Sequence, residues 1–305
     1  MPREVEPSLN ERHFFAKALQ ENIRLDGRAL DHYRAVELDF GDELGVVDLR
    51  LGKTRIHTHI SATVATPLPD RPTDGLFTIN TELSPMLSPS IEALSRPSVT
   101  ETLLSRLLEK TIRRSGALDT ESLCLIAGSK VWAVRADVHV LSHDGNLTDA
   151  ACMAVIAGLQ HFRKLDTETR GEEVVLYSAA EREPVKLSLL HFPLCVTFSF
   201  YGEGILGKEG EGEKEKVLLD AGLLEEQLRE GAVTVGMNKH GEVCQIAKLG
   251  GVPVHALTIL NCVEVARAKV QEMSSFIERR LEEDGKKRDK GGMAAELSAE
   301  NDRVS

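Results

Sequence analysis

The side chains with the plainest capacity for chemistry form a cationic row. Arg106, Lys110 and Arg113 fall at i, i+4 and i+7, with Arg114 beside them, so four positive groups share one side of a helix. Such a row contacts phosphates; it equally makes a solvated helix face, partly paired with Glu101 and Glu109, and spacing does not separate the two readings. His57 and His59 alternate on one strand and point to one face. With no Cys or carboxylate at ligand spacing, they read as surface histidines rather than a metal pair. His191-Phe192-Pro193 closes an apolar strand, where a lone histidine is structural. Gly207-Lys208-Glu209-Gly210 has neither the spacing nor the strand–loop–helix setting of a phosphate loop. The five cysteines, Cys124, Cys152, Cys195, Cys244 and Cys262, are odd in number and form no C-x-x-C. Four lie in apolar runs and read as small buried hydrophobes.

The row needs a helix to carry it, and the pattern predicts one over residues 99 to 115, with Leu104, Leu108 and Ile112 as its buried stripe. An earlier helix is read over 8 to 23, capped by Ser8 or Asn10 and ended by the turn Arg24-Leu25-Asp26-Gly27-Arg28. From Tyr33 to Thr66 the period becomes two, giving an antiparallel meander with hairpins at 41 to 45 and at Gly52-Lys53. A long connection from Pro67 to Arg96 holds one strand, 75 to 83, and loops of this length are often functional or partner-facing. Strands at 122 to 127 and 130 to 141 precede a helix from Thr148 to Phe162 whose small apolar residues predict close packing. A polar linker, 163 to 173, is the expected domain boundary. Strand runs at 174 to 177, 185 to 190 and 194 to 201 lead to a Gly/Glu/Lys-rich excursion, 202 to 216. Short strands at 217 to 219, 232 to 238 and 243 to 248 precede a long helix opened by Gly250-Gly251-Val252-Pro253. Leu257, Leu260, Val263, Val270, Met273, Ile277 and Leu281 form its predicted stripe, and the charged tail from Glu282 is expected to be disordered.

The chain has 305 residues, 42% of them hydrophobic, enough apolar content to exclude general disorder and to build two domains or one large one. Lys plus Arg is 37 against 48 Asp plus Glu, a formal charge of −11 that excludes a generally basic nucleic-acid binder but not a local basic patch. No apolar run reaches the roughly 18 residues a membrane helix needs, and residues 1 to 7 carry no signal-peptide apolar region. The expected home is nucleocytoplasmic.

Several blocks carry a family resemblance. Arg24-Leu25-Asp26-Gly27-Arg28, Leu51-Gly52-Lys53-Thr54-Arg55, Gly75-Leu76-Phe77-Thr78-Ile79 and Leu83-Ser84-Pro85-Met86 resemble the opening of the ribonuclease PH family. Arg113 to Asp119, Trp132 to His139 and Asp144-Gly145-Asn146 resemble its eukaryotic RNA exosome ring subunits. The likeness spans residues 10 to 280. It implies an α+β, ribonuclease PH-like fold of two βα subdomains, of the ribosomal-protein-S5-domain-2-like kind: residues 1–30 as N-terminal helix and turn, 31–165 as domain 1, 174–281 as domain 2, and 282–305 as tail. A hexameric ring with a central RNA channel is also implied, with no cofactor and no metal.

Active relatives cleave RNA with inorganic phosphate, held by a Gly-Ser-Arg or Gly-Thr-Arg loop at a helix N-terminus. The matching stretch is Gly145-Asn146-Leu147-Thr148, with Leu147 at the Arg position. Asp149 beside it would repel phosphate. The positions of two downstream catalytic aspartates fall nearest Tyr177 and His191, neither a carboxylate. The resemblance therefore implies a non-catalytic ring subunit, with an active phosphorolytic 3'-to-5' exoribonuclease as the rival. Inactive ring members of this kind hold RNA through the helix matching Arg106, Lys110, Arg113 and Arg114, and Arg71 in the Pro-rich connection is a further channel-loop candidate. The implied partners are other ribonuclease PH-like subunits, S1/KH cap subunits, hydrolytic nucleases and single-stranded RNA. The implied locations are nucleus, nucleolus and cytoplasm.

Overall fold

A computed structural model describes residues 7–85, 87, 98–171, 173–178, 181–202, 215–248 and 250–288. Met86 and most of the 202 to 216 excursion lie outside the described residues, as does the tail beyond 288.

The chain opens with α1 (Leu9–Gln20), started by a reciprocal capping box between Ser8 and Glu11. Strands β1 (Val36–Phe40), β2 (Val46–Leu51) and β3 (Thr54–Ala65) form the predicted meander, with β2 and β3 turning at Gly52, φ 60°. β4 (Leu76–Leu83) runs parallel to β6 (Lys130–Ser142), which also pairs β3 and the short β5 (Cys124–Ile126). The first sheet is thus ordered β1-β2-β3-β6-β4, and α2 (Val99–Leu108) lies against β4.

Helix α3 (Leu147–His161) is buried almost all round and packs against β2 and β3 on one side. Small residues permit this approach: a Cβ at Gly158 would stand 3.0 Å from Ile60 Cγ1. The predicted linker is not featureless. It forms β7 (Arg163–Lys164), paired with β10 (Val185–Lys186), and β8 (Thr167–Arg170), paired with β9 (Glu173–Leu176). The strand expected over 185 to 190 shrinks to β10 plus one bridge, Leu118 to Leu189.

The second sheet is β12-β11-β13-β14, built from β11 (Leu194–Tyr201), β12 (Lys216–Leu219), β13 (Gly231–Met237) and β14 (Val243–Lys248). Every side chain of β11, the strand run expected over 194 to 201, is buried. The cause is cover on both faces, from α3 and from α5 (Ala256–Arg288). A short helix that the sequence pattern does not announce, α4 (Leu223–Leu228), follows β12. One continuous apolar cluster joins the two halves, from Leu38 through Ala154 to Ile277.

Helix α5 corrects two expectations. Leu257 and Leu260 are 75% and 59% exposed, so its buried stripe begins at Cys262 and runs through Ala266, Val270 and Ile277. The helix also continues to Arg288 because its last turns have partners. Arg288 binds Asp284 at 2.5 Å and donates to the carbonyls of Gly41 and Asp42, while Asp284 lies 3.2 Å from His161. No described helix is long and apolar enough to cross a membrane.

The turn after α1 is tied into the second half. Arg24 is fully buried; it binds Glu225 at 2.5 Å and donates to the carbonyls of Leu219 and Asp220, each at 2.8 Å. Removing one partner of a buried ion pair strands the other charge. Arg24→Ala is therefore expected to lower unfolding free energy by about 3–5 kcal/mol in urea titrations. A loss under about 1 kcal/mol would show that Glu225 needs no partner.

Candidate nucleic-acid interface and the loop before α3

The cationic row begins on α2, which Ser98 and Glu101 cap reciprocally and whose Leu104, Leu107 and Leu108 are buried. Beyond Leu108 the backbone widens into one π turn, Glu109–Arg113, closed by the Arg114 amide donating to the Glu109 carbonyl at 3.0 Å. The sequence predicts a continuous α-helix here. The extra residue per turn keeps Thr111 and Ile112 buried and leaves Lys110, Arg113 and Arg114 on the outside. All four cations of the row are exposed or half-exposed.

Arg113 pairs with Glu109 at 2.5 Å. Glu101, expected to neutralise part of the row, instead accepts from the amides of Ser98 and Leu83. Among the described residues, no carboxylate pairs with Arg106, Lys110 or Arg114. Arg71 stands apart. It is 74% exposed and 3.6 Å from Asp74, on a turn tied to the β5–β6 hairpin by the Gly128 amide donating to the Pro72 carbonyl.

The loop before α3 is closed from within. Gly145 and Asn146 take left-handed conformations, φ 89° and 51°. The Gly145 carbonyl accepts from Thr54 Oγ1 at 2.8 Å and from Arg34 at 3.1 Å. A Cβ at Gly145 would stand 2.4 Å from the Ala221 carbonyl oxygen, so the backbone at 221 to 223 packs directly against the loop at that point. Leu147 is buried, 7% exposed.

Two buried carboxylates share the Asn146 amide, Asp149 at 3.0 Å and Asp220 at 2.8 Å. Asp149 also accepts from Tyr33 Oη at 2.9 Å, the Thr197 amide at 2.9 Å and Thr197 Oγ1 at 2.7 Å. Burial pushes its carboxyl up to about 6, against the lowering effect of the Thr197 and Asn146 bonds. Asp220 takes the Arg34 guanidinium at 2.9 and 3.0 Å, the Arg34 amide at 2.8 Å and Arg28 at 2.9 Å. Burial raises its carboxyl, but the Arg34 pairing outweighs burial and holds it below the usual carboxylate range.

These contacts revise the site expectations. Asp149 faces the interior between α3 and β11 and is consumed by four donors, rather than standing in the loop as a free charge. The residues of the second half that meet the loop are 220 to 223, where Tyr177 and His191 were expected. Tyr177 lies 3.8 Å under Arg182, and His191 sits 3.2 Å from Ser115 Oγ. Carboxylates do reach this region, but they are locked in ion pairs and hydrogen bonds. The sequence pattern does not single out Arg34, Tyr33, Thr197 or Asp220. The double arginine of Arg24-Leu25-Asp26-Gly27-Arg28 is a usable signal, since buried arginines demand acceptors. Asp220, one acid among nine between residues 203 and 230, carries none. His57 and His59 face outward beside Asp48, Asp137 and His139 on the open side of the first sheet.

With this geometry in place, comparison with known proteins decides the lineage. The 3' exoribonuclease family matches in two parts, domain 1 over residues 32–164 and domain 2 over residues 191–269. The Saccharomyces cerevisiae protein "Exosome complex component RRP45" is 47% identical over 308 residues, covering 99% of each chain. The chain belongs to the RRP45 family of exosome complex components. The Schizosaccharomyces pombe member is 46% identical over 99% of this chain and 100% of its own. Among solved structures, one described as an Archaeoglobus fulgidus exosome with RNA bound to the active site superposes with a TM-score of 0.73 at 26% identity, over 87% of this chain and 97% of that one. The α+β fold with two ribonuclease PH domains is thereby established for the chain.

Asp149 gives this family member a pH signature. In the unfolded chain the group loses its proton near about pH 4, and in the folded chain near 6. Between these values the folded chain holds the proton that the unfolded chain has lost. The group's stabilising contribution is therefore complete below about pH 4 and is lost as pH rises through about 6. Asp149→Asn can keep the acceptor at Oδ2 and donate to Thr197 from the other arm. It is expected to fold and to flatten the decline in unfolding free energy between about pH 4 and pH 6, measured by urea titration at several pH values. An unchanged slope would contradict the assignment.

Proposed function

We propose that the chain is a non-catalytic structural and RNA-guiding subunit of the exosome core ring. It sits beside other ribonuclease PH-like subunits, under S1/KH caps, and passes single-stranded RNA toward a separate hydrolytic nuclease. Such a ring supports 3'-to-5' RNA processing and turnover, including rRNA maturation, in nucleus, nucleolus and cytoplasm. Relatives named as exosome components along their whole length support the assembly.

The observation that carries the division of labour is the contrast between two places in the fold. At the loop before α3 a buried leucine, Leu147, stands at the matching arginine position, the backbone at 221 to 223 packs against Gly145, and the buried carboxylates are engaged. The two arginines bound to Asp220 beside the loop, Arg28 and Arg34, are already paired. Meanwhile Arg106, Lys110, Arg113 and Arg114 face outward on a protein of net charge −11, three of them without an ion-pair partner among the described residues. A guanidinium and ammonium row suits the backbone of a single strand, which needs charge and no base reading. Arg71 is a secondary contact on the connection before β4. The rival reading, an active phosphorolytic exoribonuclease, calls for an arginine at the loop position that Leu147 occupies.

The Arg106→Glu/Lys110→Glu variant should fold and enter the ring as wild type does, since neither side chain is buried. RNA binding by the reconstituted ring should weaken. The slope of log affinity against log salt should shrink by roughly 0.7 for each phosphate that the row no longer neutralises. Binding measured at several salt concentrations checks this. Equal affinity and equal slope in a normally assembled ring would reduce the row to a solvated helix face.

A further inference from the structure

The open face of the first sheet gathers metal-ligating side chains that the RNA-holding reading does not use. On β3, His57 and His59 lie two residues apart and share that face, while Ile56, Thr58 and Ile60 between and beside them are buried on the other. Two imidazoles are too few for a firm metal site, and the neighbouring sequence supplies no third ligand. Strand pairing supplies one. β6 runs antiparallel to β3, with His139 directly opposite His57 and Asp137 directly opposite His59. Side chains directly opposite one another in a sheet have their Cβ atoms about 4.5–5.5 Å apart. Three imidazoles from two neighbouring strands therefore meet at one place on the sheet, and all three residues are half-exposed. Carboxylates flank them: Asp48 of β2 stands opposite His57, and Glu82 of β4 stands opposite His139.

These groups differ in what already holds them. Both oxygens of Asp48 accept from Arg55 Nε at 3.0 Å, and Asp137 accepts from Asn80 at 3.1 Å and from Arg135 at 2.8 Å. Both carboxylates are thus spent on the protein's own cations and amides. His57 and His59 have no hydrogen-bond or ion-pair partner among the described residues. His139 Nδ1 lies 3.2 Å from Glu82 Oε2. With the ring proton on Nδ1 and turned to that carboxylate, Nε2 keeps its lone pair for a ligand. A carboxylate behind a histidine in this way fixes its tautomer and orientation and raises its basicity as a metal ligand. Among the described residues no three such groups converge on one point as they stand, so the site closes by rotation of the unheld His57 and His59 side chains.

We propose that His57, His59 and His139 bind a divalent transition-metal ion of the zinc type, with Glu82 as the positioning residue behind His139. Neutral imidazoles suit a borderline cation such as Zn²⁺, whereas Mg²⁺ and Ca²⁺ call for oxygen ligands. Three nitrogen ligands leave the fourth tetrahedral position to water or to a donor atom of another molecule. The inference stands apart from the RNA-guiding reading, since the cationic row contributes nothing to it.

Calorimetric titration of the tag-free full-length chain with Zn²⁺ tests it, with Co²⁺ as a spectroscopic probe. One ion per chain is expected. His57→Ala/His139→Ala should weaken zinc binding at least about tenfold and leave the melting temperature of the metal-free chain near wild type, since neither side chain is buried. Glu82→Gln should weaken binding about tenfold with the stoichiometry still one, as expected of a residue that orients a ligand rather than touching the ion. Bound Co²⁺ should show tetrahedral ligand-field bands without a thiolate charge-transfer band. A wild-type chain that takes up no zinc overturns the proposal. Unchanged affinity in the double variant, or a cobalt–thiolate band, places the ion elsewhere, at the cysteines in the second case, and overturns it equally. Wild-type affinity in Glu82→Gln together with loss in the double variant overturns the role given to Glu82.

Discussion

Asp220 is a carboxylate with no exposure, and much of the molecule is arranged around satisfying it. Arg34 and Arg28 bring it charge, the Arg34 amide and Asn146 bring neutral donors, and its own backbone carbonyl holds Arg24. An ionised group taken fully out of water is tolerable only when its lone pairs are met in this way. The donors come from the turn after α1, the approach to β1 and the loop before α3, while Asp220 follows β12. One buried anion thus ties the N-terminal segment and the first sheet to the second half of the chain.

The consequence reaches the loop before α3. Arg34 spends its remaining donor capacity on the carbonyls of Asp144 and Gly145, and Asn146 divides its amide between Asp149 and Asp220. The donors of Arg34 and Asn146 are thus engaged inside the protein. The exposed cations of the row lie instead on α2 and its π turn, where the apolar side of the helix is anchored by Leu104, Leu108 and Ile112. The arginines thus fall into two sets: Arg24, Arg28 and Arg34 tied into the fold, and Arg106, Arg113 and Arg114 facing water, the set proposed above to hold RNA.

What the sequence makes legible follows from periodicity and turn chemistry. The meander from β1 to β3, the small-residue helix α3 and the outward face of the cationic row follow from local pattern, because alternation and helical spacing are local signals. Three kinds of feature escape it. β11 is recognisable as a strand, but its burial on both faces comes from helices outside its own segment. The π turn at Glu109–Arg113 is one residue of extra backbone that leaves the apolar pattern nearly unchanged. The ends of α5 depend on tertiary partners: Leu257 and Leu260 stay exposed, while Asp284 and Arg288 find His161 and the β1–β2 turn. The same limit explains the misplaced acids, since spacing along the chain points to Tyr177 and His191, and only the fold reveals that Asp220 meets the loop.

The central claim is that this chain holds and steers RNA without cutting it. Phosphorolysis converts RNA and inorganic phosphate into nucleoside diphosphates, so the most direct measurement is diphosphate release from a labelled single strand. The assay uses the pure chain, alone and with its adjacent ring subunit carrying a disabled active site, with and without phosphate. The account predicts no diphosphate and no shortening of the RNA in any arm. Phosphate-dependent release of nucleoside diphosphates by the wild-type chain would contradict it.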